Sequence, residues 1–314
     1  MLEKKFLITV DTEGDNLWSW HEGQPITTEN ANYLPHFQSL CETYGFTPVY
    51  LTNLEMAQSA VFQKTIGRSV REGKCEIGMH LHAWNTPPFF ELERKYDGLP
   101  YITEYPKEII YEKHQYLKAE IEKHLGVTPV TYRDGRWATN EVLFELLDEL
   151  GFNADCSVTP EISWVSNPGT SAKTGPNYCS YPKQTYKLTK NMVEIPLTTR
   201  KFRCVYGNNP RQIIKHSLLG IDGMLRPATA SCELMKRLTT VVEREGNDYL
   251  EFMLHSSELM PGGSPYFRTE EAIEKMYGEM DAFFKWIADR GYEGSALKDY
   301  AYAFIWRVTA EHSV

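Results

Sequence analysis

The segment "EIGMHLHAWNTPP", residues 76–88, ends a short apolar run in two imidazoles, His80 and His82. Residues i and i+2 of a strand project to the same side, so both rings can address one point. The segment "LITVDTEGD" ends in acids at positions 11, 13 and 15, and Asp11 and Glu13 share a face by the same rule. One carboxylate from this segment, taken with His80 and His82, makes a two-histidine, one-carboxylate donor set. Such a set holds zinc or a related divalent ion and leaves positions open for water and substrate. The other carboxylate is then free to take a proton. An ion held in this way polarises a carbonyl and makes water nucleophilic near neutral pH. Asp15 reads as a turn residue before Asn16.

Three more segments end in polar groups. "VTYRDGRW" carries Arg133, Asp134 and Arg136, "FNADCS" carries Asp155, and "YLEFMLHSSE" carries His255. Amide hydrolysis needs a proton for the departing amine, and His255, after an apolar run, is placed to give it. Arg133 suits a pair with Asp11 that keeps the carboxylate ionised and fixes its rotamer. Asp155 can orient a histidine or tie down an arginine. Trp18, Trp20, Trp84, Trp137, Trp164 and Tyr266 flank these motifs. Flat aromatic faces suit sugar rings, although such side chains more often pack a core or rim. Trp84, Trp137 and Tyr266 are the substrate-binding candidates. Gly262 and Gly263 in "PGGSPYF" let a loop pass close to a ligand or make a plain turn.

The elements that must position these groups alternate. "KFLITVD", "FTPVYLT", "CEIGMHLH", "VTYR", "FNADCSV" and "DYLEFMLH" read as strands. Helical patterns separate them, among them "TTENANYLPHFQSLCETYG", disturbed by Pro35, and "NLEMAQSAVFQKTIGRSVREGK", read as one helix. "PKEIIYEKHQYLKAEIEKHLG" is the clearest, with Pro at its start and Gly126 at its end. Such alternation implies a mostly parallel sheet, and about seven repeats can close into a distorted (β/α) barrel with its chemistry at the carboxyl ends of the strands. The expectation is one catalytic domain over residues 1–314, with a Ser-, Pro- and Tyr-rich insertion around 160–200 that holds a β excursion.

Composition excludes several classes. A net charge of −9 over 314 residues argues against nucleic acid or an anionic membrane surface as partner. No stretch approaches a membrane span, and the apolar run Phe6–Val10 is too short for a secretory core. The six cysteines lack paired spacing and read mostly as buried thiols, which points to a cytoplasmic protein.

In motif order, from about residue 6 to about residue 268, the chain resembles the NodB-homology polysaccharide deacetylases, carbohydrate esterases that act on N-acetyl or O-acetyl sugars. The resemblance rests on "TVDTEGD", "EIGMHLH", "TYRDGRW", "DCS" with Asp155 and Ser157, and Leu254-His255 in "MLHSSEL". It implies Asp11 as base, His80 as metal ligand, Arg133 as partner of the base and His255 as acid. Glu13 and His82 follow from geometry instead. The family's paired acids are adjacent, whereas Thr12 separates them here. Its histidines are four apart, whereas position 84 is Trp; and the third motif lacks the family's prolines. The implied function is removal of an acetyl group from an acetylated sugar or glycan by metal-activated water, with zinc, or else cobalt or nickel, as the ion. Two rivals stand beside it. One is an amide hydrolase acting on a non-sugar substrate with the same scaffold; the other is a catalytically silent carbohydrate-binding homologue.

Overall fold

The computed structural model describes residues 3–207 and 209–311. In chain order the strands are β1 (Lys4–Thr12), β2 (Pro48–Thr52), β3 (Glu76–Leu81), β4 (Thr131–Asp134), β5 (Ala154–Asp155), β6 (Tyr186–Lys187), β7 (Val193–Glu194), β8 (Thr199–Phe202), β9 (Ile221–Met224), β10 (Tyr249–His255) and β11 (Tyr292–Gly294). The helices are α1 (Leu34–Thr43), α2 (Leu54–Gln58), α3 (Ala60–Arg71), α4 (Lys107–Leu125), α5 (Glu141–Glu149), α6 (Pro210–Leu219), α7 (Cys232–Arg244), α8 (Glu270–Asp289) and α9 (Leu297–Glu311).

Seven strands, in the order β10-β1-β2-β3-β4-β5-β7, pair in parallel into one curled sheet. This is the expected NodB-type (β/α) barrel. Its seam has no continuous ladder: Thr198 Oγ1 accepts from the Glu251 N–H at 2.8 Å, the Tyr249 hydroxyl donates to the Pro196 carbonyl at 2.6 Å, and the Leu225 backbone bonds both Met253 and Thr198. β7 lies inside the 160–200 segment, so part of what the sequence presents as an excursion is a stave of the barrel. The antiparallel β8–β9 hairpin, with α6 between its strands, is the true projection.

Strand alternation sorts the chain into two cores. Phe6, Ile8 and Val10 of β1 face the helices, where the Phe6 and Phe252 rings meet Phe284 of α8 at centroid distances of 5.6 and 5.1 Å. The alternate residue Leu7 faces the barrel interior with Val49, Ala154, Cys156, Val193 and Tyr249, and Leu297 and Ala301 of α9 plug that end. Continuing up β1 on the interior parity gives Thr9, Asp11 and Glu13; up β3 it gives Gly78, His80 and His82. The interior is apolar at its amino end and titratable at its carboxyl end.

Two helix readings change. Pro35 sits in the first turn of α1, where its missing N–H costs nothing, so it helps start the helix rather than disturb it. The stretch after β2 is two helices, because Ser59 adopts an extended backbone and its side chain accepts from the Phe62 N–H to cap α3. Of the six free cysteines, Cys41, Cys75 and Cys156 are buried, whereas Cys179 is exposed and Cys204 and Cys232 are half-buried. No helix among the described residues is long and apolar enough to cross a membrane.

Candidate active site

The tips of β1, β3, β4 and β10 meet at the carboxyl end of the barrel. Glu13 Oε2 lies 3.0 Å from His82 Nε2 and 3.5 Å from His80 Nε2. One ligand atom from each residue falls within 4.8 Å of the others, and all three residues are buried. His80 Nδ1 lies 3.1 Å from the Arg133 carbonyl. A carbonyl only accepts, so Nδ1 carries a proton, and Nε2 is the nitrogen left to an ion when the ring is neutral. Two imidazole nitrogens and a carboxylate oxygen that converge in this way fit a divalent ion of the zinc type.

The electrostatics support an anionic Glu13. Burial alone would raise its carboxyl, but His255, His80 and His82 hold it well below the usual range. Burial pushes the His82 imidazole down despite Glu13. Burial pushes His80 down as well, but Asp11 and Glu13 more than offset this, and it sits above its usual value. An ion at these nitrogens therefore competes with a proton on His80, and its affinity rises with pH.

Asp11 takes the other position on the same face of β1. Its Oδ1 accepts from Arg133 Nη1 at 2.7 Å, while its Oδ2 faces His255 Nε2 at 3.7 Å. Burial would raise this carboxyl too, but the Arg133 guanidinium, with His80 and His255, holds it below its usual value. Arg133 is fully buried and occupied on every side. Its Nε donates to the Cys156 carbonyl at 3.0 Å, and its Nη2 donates to Thr9 at 2.9 Å and to Glu251. A rigid fork with this many acceptors fixes the Asp11 rotamer.

His255 is the wet member of the group, with 13% of its side chain exposed. Its Nε2 faces Asp11 and, at 3.8 Å, Glu13. Its Nδ1 lies 2.9 Å from Arg226 Nη2 and 3.5 Å from Glu258 Oε1. Arg226 is ion-paired to Glu258, whose side chain is fully buried. Burial would raise Glu258, but Arg226 and His255 keep it below its usual value. Sequence reasoning missed both residues. Glu258 stands three positions after His255 in "HSSE" and was visible there, whereas Arg226 follows β9 without any motif.

Asp155 is a correction. The expectation placed it against a histidine or an arginine. The structure bonds it instead to Ser157, at 2.7 Å from Oγ and 3.2 Å from the backbone N–H, and sets it opposite Glu194 of β7. The cause is parity: Ala154 and Cys156 face the interior, so Asp155 points to the other face, level with Tyr132. Asp15, as expected, braces a turn, accepting from the Glu29 N–H at 2.6 Å and from the Thr27 hydroxyl.

The aromatic candidates divide. Trp84 stacks on His82 with centroids 4.4 Å apart and an interplanar angle of 19°. It also lines a cleft of about 540 Å³ with Trp20, Phe90, Arg94, Asp97 and Tyr105. Tyr266 meets Trp18 edge to face at 5.6 Å, and Trp18 in turn lies 5.1 Å from His255. These two form the opposite rim. Trp137 sits under the Arg133 guanidinium and runs parallel to Trp164 with centroids 6.4 Å apart.

No protein-family model matches the chain, and neither does any curated protein. Solved structures do. A protein described as a polysaccharide deacetylase from Mycobacterium smegmatis is 15% identical, with 96% of this chain and 91% of that chain covered at a TM-score of 0.54. A GH57 branching enzyme from the hyperthermophilic archaeon Thermococcus kodakaraensis is 12% identical, with 95% and 70% covered at a TM-score of 0.53. A family 4 carbohydrate esterase from Streptomyces lividans is 10% identical, with 94% and 93% covered at a TM-score of 0.45. These likenesses are to the fold, which two different chemistries share here, so function has to be argued from the site.

Proposed function

We propose that the protein is a metal-dependent hydrolase that removes an acetyl group from an acetylated sugar or glycan. One observation carries the reading: His255 Nε2 lies 3.7 Å from Asp11 Oδ2 and 3.8 Å from Glu13 Oε1, so a candidate base and a candidate acid border the Glu13–His80–His82 cluster. Glu13, His80 and His82 hold the ion, most simply zinc, with cobalt or nickel compatible with the same donors. When bound, the ion supplies Lewis acidity at the acetyl carbonyl and lowers the pKa of water.

The chain's own groups supply the proton traffic. Asp11, kept ionised and rigid by Arg133, presents Oδ2 as the base that takes a proton from the attacking water. His255 Nδ1 accepts from Arg226 Nη2 at 2.9 Å, which leaves the ring proton on Nε2, the nitrogen that faces Asp11 and Glu13 and is placed to protonate the departing nitrogen. Trp84 on one rim and Trp18 with Tyr266 on the other offer flat faces to a sugar ring. The cleft beside Trp84 adds Arg94 and Asp97 for hydroxyl groups. The likeness to the M. smegmatis protein supports this reading by fold alone.

The test pairs metal content with acetate release from N-acetylated sugars. His80→Ala should lose the ion. His255→Ala should keep it and lose about 10²–10⁴ in kcat. A His255→Ala enzyme with parental turnover would remove the acid assignment. Tight glycan binding without acetate release in the metal-loaded protein would replace hydrolysis with recognition.

A further inference from the structure

The net charge of −9 hides a local reversal. From residue 201 to residue 221 the chain has no aspartate or glutamate, and Lys201, Arg203, Arg211 and Lys215 are all basic. None of these four side chains is ion-paired among the described residues; Asp222, opposite Lys201 in the β8–β9 register, is the one acid of the lobe, and the nearby Glu161, Glu233, Glu245 and Glu258 pair with other cations. The same segment exposes Val205, Ile214, Leu218 and Leu219 at 68, 59, 63 and 68%.

The geometry of α6 makes this one surface. The helix buries none of its residues fully. At about 100° per residue, Arg211, Ile214, Lys215, Leu218 and Leu219 fall on one side. The half-buried Ile213, His216 and Ser217 fall on the other. That inner side is fastened: His216 Nδ1 is 2.7 Å from the Tyr206 carbonyl, and the Cys204 N–H donates to the His216 carbonyl at 3.3 Å. The outward side of a docked helix is normally polar. Here it is apolar and cationic.

We infer that the β8–α6–β9 lobe attaches the protein peripherally to an anionic lipid surface. Leucine and isoleucine side chains enter the boundary between headgroups and acyl chains, while arginine and lysine meet the anionic headgroups. The charge argues for this occupant over the others. A symmetric contact with a second copy would bring two copies of the same cationic patch together. A nucleic acid would engage the cations but leave four large apolar side chains in water. The inference stands apart from the deacetylase reading, since no residue of α6 belongs to the candidate site.

Sedimentation of the full chain with vesicles tests it. Vesicles of phosphatidylcholine with about a third phosphatidylglycerol should bind the protein, and more weakly as salt rises; phosphatidylcholine alone should not. Each basic residue near such a surface is worth about fivefold, so Arg211→Gln with Lys215→Gln should weaken binding by roughly 25-fold. Leu218→Ser with Leu219→Ser should abolish it. All four positions are exposed, so circular dichroism and activity on a soluble substrate should match the parent. Equal binding to both vesicle types, no binding at low salt, or unchanged binding by these variants would overturn the inference. So would a solution dimer that the leucine variant dissociates.

Discussion

At the scale of single residues, the site works through charges that hold one another in place. Asp11 stays ionised although buried because Arg133 contacts it at 2.7 Å, and Arg133 stays put because Thr9, Glu251 and the Cys156 carbonyl take its other donors. Arg226 plays the corresponding part for His255, 2.9 Å from Nδ1, and the buried Glu258 holds Arg226. Glu258→Gln weakens that hold and leaves the proposed metal donors untouched. It should lower kcat by about 10-fold or more with metal content intact; an unchanged kcat would mean that Arg226 keeps its place without the Glu258 charge. Gly135 acts by absence. A Cβ there would lie 2.0 Å from His82 Cδ2 and 2.7 Å from the Leu81 carbonyl. Gly135→Ala must therefore move the His82 ring or the β3 terminus, and metal affinity should fall by about 10- to 100-fold, as for losses of ligand support. Metal titration against the parent decides it. Residue types and i, i+2 spacing made Asp11, Glu13, His80, His82, Arg133 and His255 legible in the sequence. Gly135 and Arg226 were not, because their parts depend on which side chain lies across a gap.

At the scale of elements, alternation along strands governs what reaches the barrel mouth. It places Glu13 above Asp11 and His82 above His80, and the same rule turns Asp155 away. β5 has two residues, too few for parity to show in the sequence, so a strand-end acid looked equivalent to the others. Helix boundaries show a similar limit. The apolar pattern runs on through residues 54–71, and only the extended backbone of Ser59 divides α2 from α3. That break has a checkable cost. Ser59 Oγ accepts from the Phe62 N–H at 3.3 Å and meets the Thr28 hydroxyl at 2.8 Å. Ser59→Ala should lose about 1 kcal/mol of unfolding free energy by urea titration, the usual worth of an N-cap. A loss near zero would show that the Phe62 N–H finds another acceptor.

At the scale of the whole molecule, one strand ties the two ends of the barrel together. β3 carries His80 and His82 towards the mouth and Glu76, on the same parity, at the floor. There Glu76 Oε2 accepts the Lys298 N–H at the start of α9 at 3.0 Å, and Oε1 is 2.7 Å from the Thr131 hydroxyl. The alternation of strands and helices made the barrel legible, but not its floor. Nothing in the pattern of α9 itself says what it covers. Burial pushes the Glu76 carboxyl from 4.5 up to about 7. The unfolded chain loses this proton at the lower value and the folded chain keeps it to the higher one. The stabilisation is therefore complete below about pH 4.5 and is lost as pH rises through about 7, a change on the order of 3 kcal/mol. Glutamine mimics the neutral acid, accepting from Lys298 N–H while its amide donates to the Thr131 hydroxyl. Glu76→Gln should match the parent near pH 4 and exceed its stability near pH 8 by up to about that amount. Glu55 and Glu251 are also pushed up to about 7, so the parent's own pH slope has several sources. The difference between variant and parent isolates Glu76, and urea unfolding at both pH values reads it. Parallel stability curves would mean that Glu76 ionises on the barrel floor without cost.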